Sequence, residues 1–179
     1  MEFETAAPER AAALRSAFIA KFIDTESGYY QKHIAAVTQA PDGPFYDGFL
    51  WDCLRDNRDF RWACSMDDAV GFLEGRDRAF AMWDSRARSD KRFSREYPRG
   101  TVIRMQGGAL GRLVAEEWNR EQAAWRADCQ CQGLWFPEDL YCFDKSMDWC
   151  AIFTHEGWDS WDDPELGEDA YIRICFLCL

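Results

Sequence analysis

Apolar residues at helical spacing mark the first half of the chain. Leu14, Phe18 and Phe22 recur at intervals of four. With Pro8 in the first turn, this spacing predicts a helix over residues 8–23. Similar spacing, or a run of good helix formers, predicts further helices over residues 27–39, 49–54, 65–75 and 112–128.

Short apolar runs mark strands, most clearly in the last forty residues. The runs LYCF and WCAIFT flank the polar link of residues 144–148, and a third run covers residues 171–179. This pattern predicts consecutive antiparallel strands joined by short links. Residues 79–84 and 101–105 predict two earlier strands, although Ala and Met make a helix the alternative over residues 79–84.

The order of these elements predicts a single α+β domain over residues 1–179. We expect a mainly antiparallel sheet of about four to five strands, with N-terminal and central helices packed on one face. A composition of 47% hydrophobic and 16% aromatic residues excludes a disordered chain. No run approaches the roughly 18 apolar residues of a spanning helix, and the acidic N-terminus does not resemble a signal peptide. We therefore expect a cytoplasmic protein with no membrane partner.

The formal net charge of −11 narrows the choice of partner. Phosphate backbones attract cations, so we expect no direct binding to nucleic acid. The same charge favours association with a basic protein, because opposite charges speed the encounter.

The segment from Glu156 to Asp169 combines dense negative charge with Trp158 and Trp161, and it contains no lysine or arginine. Its acidic residues are Glu156, Asp159, Asp162, Asp163, Glu165, Glu168 and Asp169. Tryptophan is frequent among binding hot spots, so we predict that this acidic segment docks a basic partner. A plain solvated loop is the alternative, and the acids do not follow the spacing of a calcium-binding EF-hand loop.

His155 and Glu156 are the most obvious candidates for catalysis, because histidine titrates near neutrality and a carboxylate can tune it. A small enzyme would have to gather them with Asp144 and Asp84. Neighbours on a strand point to opposite faces, which argues against joint action by His155 and Glu156. A structural role for His155 at the strand end is the alternative.

The eight cysteines are expected to be free thiols in a chain with enough apolar residues for a core. A zinc site that pools Cys129 and Cys131 with Cys175 and Cys178 is an alternative. It is disfavoured because a C-x-x-C pair on a strand places its thiols on opposite faces. We therefore expect neither a metal nor a cofactor.

Two segments raise the question of phosphate binding. The basic segment from Arg86 to Arg99 is typical of a solvated loop, but pairing with the acidic segment or binding phosphate are alternatives. The glycine-rich residues 106–111 precede a helix, whose N-terminus can hold a phosphate. They lack both the G-x-G-x-x-G pattern and the lysine of a P-loop, so they match neither nucleotide-binding motif.

Three blocks carry a resemblance to a known group of proteins: GFLWDCLRD (48–56), FAMWDSR (80–86) and FPEDLYCFDKSMDWCAIFTHEG (136–157). They resemble small bacterial proteins that carry a tryptophan-aspartate strand and a C-terminal motif of the form YxFD-x4-W-x3-FTHE. The group's motif falls on Trp51, Asp52, Trp83, Asp84, Phe143, Asp144, Trp149, Thr154, His155 and Glu156.

The resemblance implies a function. Such proteins are similar to immunity proteins, are often encoded near polymorphic toxins, and have no enzymatic activity attached to them. We therefore expect a bacterial immunity or antitoxin-type protein that binds a cognate basic toxin domain and occludes its active site. The alternatives are a small enzyme that uses His155, Glu156 and Asp144, or a zinc-stabilised adaptor.

Overall fold

A seven-stranded antiparallel sheet organises the computed structural model, which describes residues 3–40, 43–84, 97–126, 139–159 and 171–179. The strands in chain order are β1 (Glu4–Thr5), β2 (Thr38–Ala40), β3 (Gly43–Phe45), β4 (Arg61–Trp62), β5 (Ala79–Trp83), β6 (Ile103–Met105), β7 (Leu140–Phe143), β8 (Cys150–Asp159) and β9 (Tyr171–Cys178). β2 and β3 form a separate pair, and the others lie in the order β1-β6-β5-β7-β8-β9-β4. The expected α+β class with an antiparallel sheet is confirmed.

The sheet has seven described strands, against the four to five expected from the sequence. The additional edge strands β1 and β4 have two residues each, and all four of these residues are exposed. So short a strand with no buried face leaves no alternating pattern, which is why the sequence did not reveal either one.

Four helices are described: α1 (Pro8–Phe22), α2 (Gly28–His33), α3 (Met66–Glu74) and α4 (Gly107–Arg126), with a short 3-10 helix (Leu50–Cys53) after α2. α1 begins at a proline and buries one stripe of its surface against the sheet, as its spacing predicts. α3 begins after Ser65, whose hydroxyl oxygen accepts the backbone N–H of Asp68 as an N-cap. No described helix combines the length and the apolar character needed to cross a membrane.

Two predicted helices are shorter than expected. The one predicted over residues 27–39 ends at His33, since the β-branched Val37 and Thr38 and the nearby Pro41 favour extended backbone. The one predicted over residues 49–54 is a 3-10 helix. In both places the apolar residues have helical spacing, but the chain changes direction after a few residues and the helix ends there.

Helices cover both faces of the sheet, and the prediction of helices on one face is wrong. Every residue of β5 is buried, and its side chains alternate between two hydrophobic clusters. Ala79, Ala81 and Trp83 pack with α3 and α4, whereas Phe80 and Met82 pack with α1 and the 3-10 helix. Because a strand buried on both faces is apolar throughout, its sequence does not show how many helical layers cover it.

The junction of α3 and α4 depends on a glycine. The backbone N–H of Gly107 donates to the carbonyl oxygen of Arg76 at 3.2 Å. A Cβ on Gly107 would lie 2.3 Å from the carbonyl oxygens of Leu73 and Arg76. The start of α4 therefore approaches the end of α3 more closely than any residue with a side chain permits.

We expect Gly107→Ala to lower the free energy of unfolding by about 2 kcal/mol, because two backbone carbonyls must move to admit one methyl group. Gly71→Ala is the matched control: it lies within α3 with nothing within 4 Å of a new Cβ. That variant should raise stability by about 0.5–1 kcal/mol through helix propensity. Urea denaturation measures both, and equal effects of the two variants would contradict the close approach.

Candidate functional site

One end of the sheet gathers residues from separate parts of the sequence. β5 ends at Trp83, which pairs with Leu140, the first residue of β7. Asp84 and Asp139, the residues just outside these strands, therefore lie at the same end of the sheet. β8 passes this end at Phe153, which also pairs with Leu140. We call it the Asp84 end.

The Asp84 carboxylate is the centre of a hydrogen-bond network at this end. Its Oδ1 accepts the hydroxyl of Tyr46 at 2.7 Å and the backbone N–H of Leu50 at 3.2 Å. Its Oδ2 accepts the hydroxyl of Tyr141 at 2.5 Å. Tyr46 is 6% exposed and Tyr141 is fully buried, so both donors are held by the core. The carboxylate therefore joins β5, β7 and the segment that enters the 3-10 helix.

Arg15 extends the network from α1. Its Nη2 donates to the hydroxyl oxygen of Tyr46 at 3.2 Å, and its Nη1 donates to the carbonyl oxygen of Trp83 at 2.9 Å. The Tyr46 hydroxyl thus accepts from a guanidinium and donates to a carboxylate. This relay places a positive charge two hydrogen bonds away from Asp84.

Trp51 completes the network on the other side. Its backbone N–H donates to the hydroxyl oxygen of Tyr141 at 3.1 Å, and its indole Nε1 donates to Asp139 at 3.0 Å. The ring of Phe49 stacks on the Trp51 indole with centroids 5.3 Å apart. All three sequence blocks that carry the resemblance therefore meet here, through Trp51, Asp84 and Tyr141.

The surroundings of Asp84 change its acidity. Burial is the main cause that raises the pKa of its carboxyl, and the negative charge of Asp139 adds to the increase. The hydrogen bonds from Tyr141 and Tyr46 and the charge of Arg15 oppose it. The balance raises the pKa of Asp84 to about 7. Asp84 therefore changes its charge near neutral pH, which few aspartates do.

The hairpin of β8 and β9 continues beyond the end of β7. Residues Gly157–Asp159 pair with Tyr171–Arg173, and no third strand joins them among the described residues. Trp158 and Asp159 of the predicted acidic segment lie in this part of β8, and Glu156 directly precedes it in the same strand. The remaining predicted partner-binding residues lie outside the described residues: Trp161, Asp162, Asp163, Glu165, Glu168 and Asp169. The acidic segment thus begins on a paired strand that extends from the Asp84 end.

The Thr154-His155-Glu156 triplet coincides with an irregularity in this hairpin. Phe153 pairs with Cys175, but the next pair joins Gly157 to Arg173, so three residues of β8 oppose one of β9. Such a bulge interrupts the alternation of faces along a strand. The expectation that His155 and Glu156 point to opposite faces assumed a regular strand, and β8 is not regular at these residues. Thr154 is fully buried.

The structure does not bring the proposed catalytic residues together. Asp144 follows β7 at the end of the sheet opposite to Asp84, because Phe143 pairs with Phe80 at the start of β5. Because Asp84 lies level with Asp139, five residue steps separate it from Asp144, which is about 17 Å along the strand direction. His155 and Glu156 lie on the backbone beyond the Asp84 end, so a site that combines them with Asp144 is not formed.

Asp144 and the other motif residues have roles in the fold. Asp144 accepts the backbone N–H of Asp148 at 3.1 Å and the hydroxyl of Ser146 at 2.6 Å, which closes the turn between β7 and β8. Asp52 is exposed and lies near Tyr29, whose pKa rises to about 12 through burial and then through this carboxylate. The remaining described motif side chains are buried in the core: Trp83, Phe143 and Trp149.

The cysteines do not form a zinc site in the described part of the chain. Cys175 and Cys178 belong to different hydrophobic clusters, so their thiols face opposite sides of the sheet. No group of three or more histidine, cysteine, aspartate or glutamate side chains among the described residues is placed to hold a metal. Cys129 and Cys131 lie outside the described residues.

Sequence reasoning missed four members of the Asp84 network: Arg15, Tyr46, Asp139 and Tyr141. Tyr46 and Tyr141 stand in or beside apolar runs, where a tyrosine is typical of an ordinary core residue. Arg15 stands in the predicted α1, away from its apolar stripe. The one available signal was Tyr141, which opens the YxFD part of the quoted motif.

Comparison with known protein families, curated proteins and solved structures finds no match for this chain.

Proposed function

We propose that this protein is a bacterial immunity protein, which binds a basic toxin domain and neutralises it by covering the toxin's active site. The observation that carries the proposal is the β8–β9 hairpin, which extends beyond the sheet and leads into the acidic segment of residues 156–169. Seven carboxylates and two indoles fall within these fourteen residues, without a lysine or arginine.

The two kinds of side chain have separate tasks in this mechanism. A toxin that acts on nucleic acid needs a cationic cleft to hold phosphates. Carboxylates presented on a hairpin complement that cleft, speed the encounter and block access of the substrate. Trp158 and Trp161 then anchor the complex, because buried indoles at an interface chiefly slow dissociation.

The Asp84 network supports this role from behind the hairpin. A binding segment retains affinity when it is held in place before the partner arrives. The network fastens β7 to β5, α1 and the 3-10 helix, and β7 in turn pairs with β8. The β8–β9 hairpin therefore extends from an end of the sheet that the network holds rigid. No bond needs to be made or broken in the toxin for inhibition of this kind.

The test is co-expression with the product of the neighbouring gene, with cell survival and co-purification as readouts. The wild-type protein should relieve toxicity and form a one-to-one complex. Asp159→Asn/Asp162→Asn/Asp163→Asn should slow association about tenfold or more at low salt. Trp158→Ala/Trp161→Ala should speed dissociation about a hundredfold, since hot-spot indoles contribute about 2 kcal/mol or more each.

Matched variants show whether the changes in association and dissociation rate are specific to the acidic segment or follow from removing any carboxylate or indole. Glu26→Gln/Asp67→Asn/Glu74→Gln removes three exposed carboxylates elsewhere, and Trp62→Ala removes an indole that is 54% exposed on the far edge strand. Both should retain protection and wild-type binding rates. The proposal fails if the wild-type protein neither binds the neighbouring product nor relieves its toxicity. It also fails if the acidic-segment variants protect as well as these controls.

A further inference from the structure

A cationic cleft lies at the end of the sheet opposite to Asp84. Its volume is about 810 Å³, within the range of small-molecule sites. Five basic side chains line it, against the two acidic side chains of Asp77 and Asp144: Arg10, Arg76, Arg78, Arg104 and Lys145. We call it the arginine cleft. The net charge of the residues that line the cleft is positive, whereas the whole chain has a formal net charge of −11.

Four separate parts of the fold build the arginine cleft. Arg10 comes from α1, Gly75–Arg78 from the link between α3 and β5, Arg104 from β6, and Asp144–Ser146 from the turn between β7 and β8. All are anchored on the central strands of the sheet or on helices packed against it. The charges are therefore brought together by the tertiary fold and not by a basic run in the sequence.

Within the described part of the chain, most of these cations have no acidic partner. Of the five basic residues, only Arg104 forms an ion pair among the described residues, with Glu4. Arg78 and Lys145 are exposed, and neither forms an ion pair within the described ranges. In so acidic a chain, unpaired cations that converge on one concave surface leave a positive potential there.

Arg76 is held in a fixed position inside the cleft. Its guanidinium carbon lies 4.6 Å from the ring centroid of Phe72 and 5.1 Å from that of Trp149. Its Nε is buried and has no hydrogen-bond partner among the described residues. A buried donor without an acceptor costs about 1–3 kcal/mol, so this geometry is unfavourable unless a ligand oxygen completes it. The two aromatic rings orient the guanidinium without using its N–H groups.

We propose that the arginine cleft binds a small molecule that carries a phosphate or diphosphate group. A phosphate ester carries up to two charges and three acceptor oxygens, which suits several guanidinium groups at once. A single carboxylate carries one charge and would leave most of the cleft unneutralised. The backbone of β8 at Gly157–Asp159 lies beyond the other end of the sheet, so this site is separate from the proposed toxin-binding surface.

Isothermal titration calorimetry of the full chain with pyrophosphate, ADP and inorganic phosphate tests the proposal. We expect saturable binding of pyrophosphate and ADP at one site, weaker binding of phosphate, and a loss of affinity as ionic strength rises. Arg78→Gln/Lys145→Gln removes two exposed charges and should weaken binding about tenfold or more. Arg76→Lys, which retains the charge but loses the planar fork, should also weaken it.

The matched control is Lys32→Gln/Arg112→Gln, which removes two exposed charges from α2 and α4 outside the cleft. Its affinity should stay within about twofold of the wild type, because screened distant charges contribute little. The proposal is overturned if none of the three probes binds at millimolar concentration, or if the control weakens binding as much as the cleft variants. Tighter binding of polyglutamate than of ADP would also overturn it, since that would identify a docking surface for acidic peptides.

Discussion

Phe18→Ala is expected to lower the free energy of unfolding by about 3–5 kcal/mol, the largest effect that we expect from a single side chain in this protein. Phe18 lies in α1 and is fully buried. The centroid of its ring lies 5.0–5.5 Å from the ring centroids of Phe22, Tyr141 and Phe143. Truncation removes the contact between α1 and β7 and leaves a cavity that the sheet cannot close.

Two further variants make the Phe18 prediction specific. Phe18→Leu retains most of the apolar volume and should cost about 1.5 kcal/mol or less. Val37→Ala shortens a side chain that is 48% exposed and should change stability by less than about 0.5 kcal/mol. Guanidinium chloride denaturation followed by tryptophan fluorescence measures all three. A loss below about 1 kcal/mol for Phe18→Ala would show that α1 does not pack on the sheet as described.

Asp84 is expected to make the protein less stable as the pH rises from about 4 to about 7. The pKa of its carboxyl is raised from 3.8 to about 7 in the folded chain, so the folded state binds this proton more tightly than the unfolded state does. The stability that comes from protonation is fully present below pH 4 and is lost as the pH passes 7. At about 1.4 kcal/mol per pKa unit, and allowing for the partial exposure of Asp84, the loss amounts to about 3 kcal/mol.

Asp84→Asn isolates this contribution, because the amide has the same shape and does not titrate in this range. At pH 4 the variant should be about as stable as the wild type, and at pH 8 it should be more stable by about 3 kcal/mol. Urea denaturation across this pH range gives the difference between the two proteins. A constant difference at all pH values would mean that Asp84 titrates normally in the folded state.

Tyr141→Phe tests whether the network controls this titration. The Tyr141 hydroxyl donates to the Asp84 carboxylate and lowers its pKa, so its removal should move the upper end of the transition above pH 7. Tyr30→Phe is the control, because Tyr30 lies outside the Asp84 network. Its pH profile should follow that of the wild type. If Tyr141→Phe leaves the dependence of stability on pH unchanged, the hydrogen bond from Tyr141 does not control the titration of Asp84.

The two ends of the sheet have different chemistry. At one end Asp84 and its donors brace the strands from which the β8–β9 hairpin extends toward the acidic segment. At the other end, four parts of the chain place basic side chains around one cleft. Because the strands between them are buried on both faces, the two surfaces are held apart by a rigid core. The proposed toxin surface and the proposed anion site therefore occupy different ends of the sheet.

The three quoted sequence blocks contain residues that meet at the Asp84 end. Trp51, Asp84 and Tyr141 all stand within the three quoted blocks, yet nothing in the blocks indicates that they touch. Trp51 and Tyr141 are 90 residues apart in the chain and are joined by one hydrogen bond. The catalytic set that included Asp144 had the same basis in the sequence, and the register of β5 and β7 separates it from Asp84. Membership of the same set of motif residues therefore does not show that two residues lie close together in the fold.

Local order was determined by the sequence alone. The spacing of apolar residues placed α1, the Ser65 cap placed the start of α3, and the polar link after β7 predicted an antiparallel pair. Each of these depends on residues within a few positions of one another, where helix and strand periods are visible. Only the tertiary structure decided that helices cover both faces, that Asp84 meets its tyrosines, and that basic residues form a cleft. These contacts depend on strand register and on layer packing between distant segments, which no local period records.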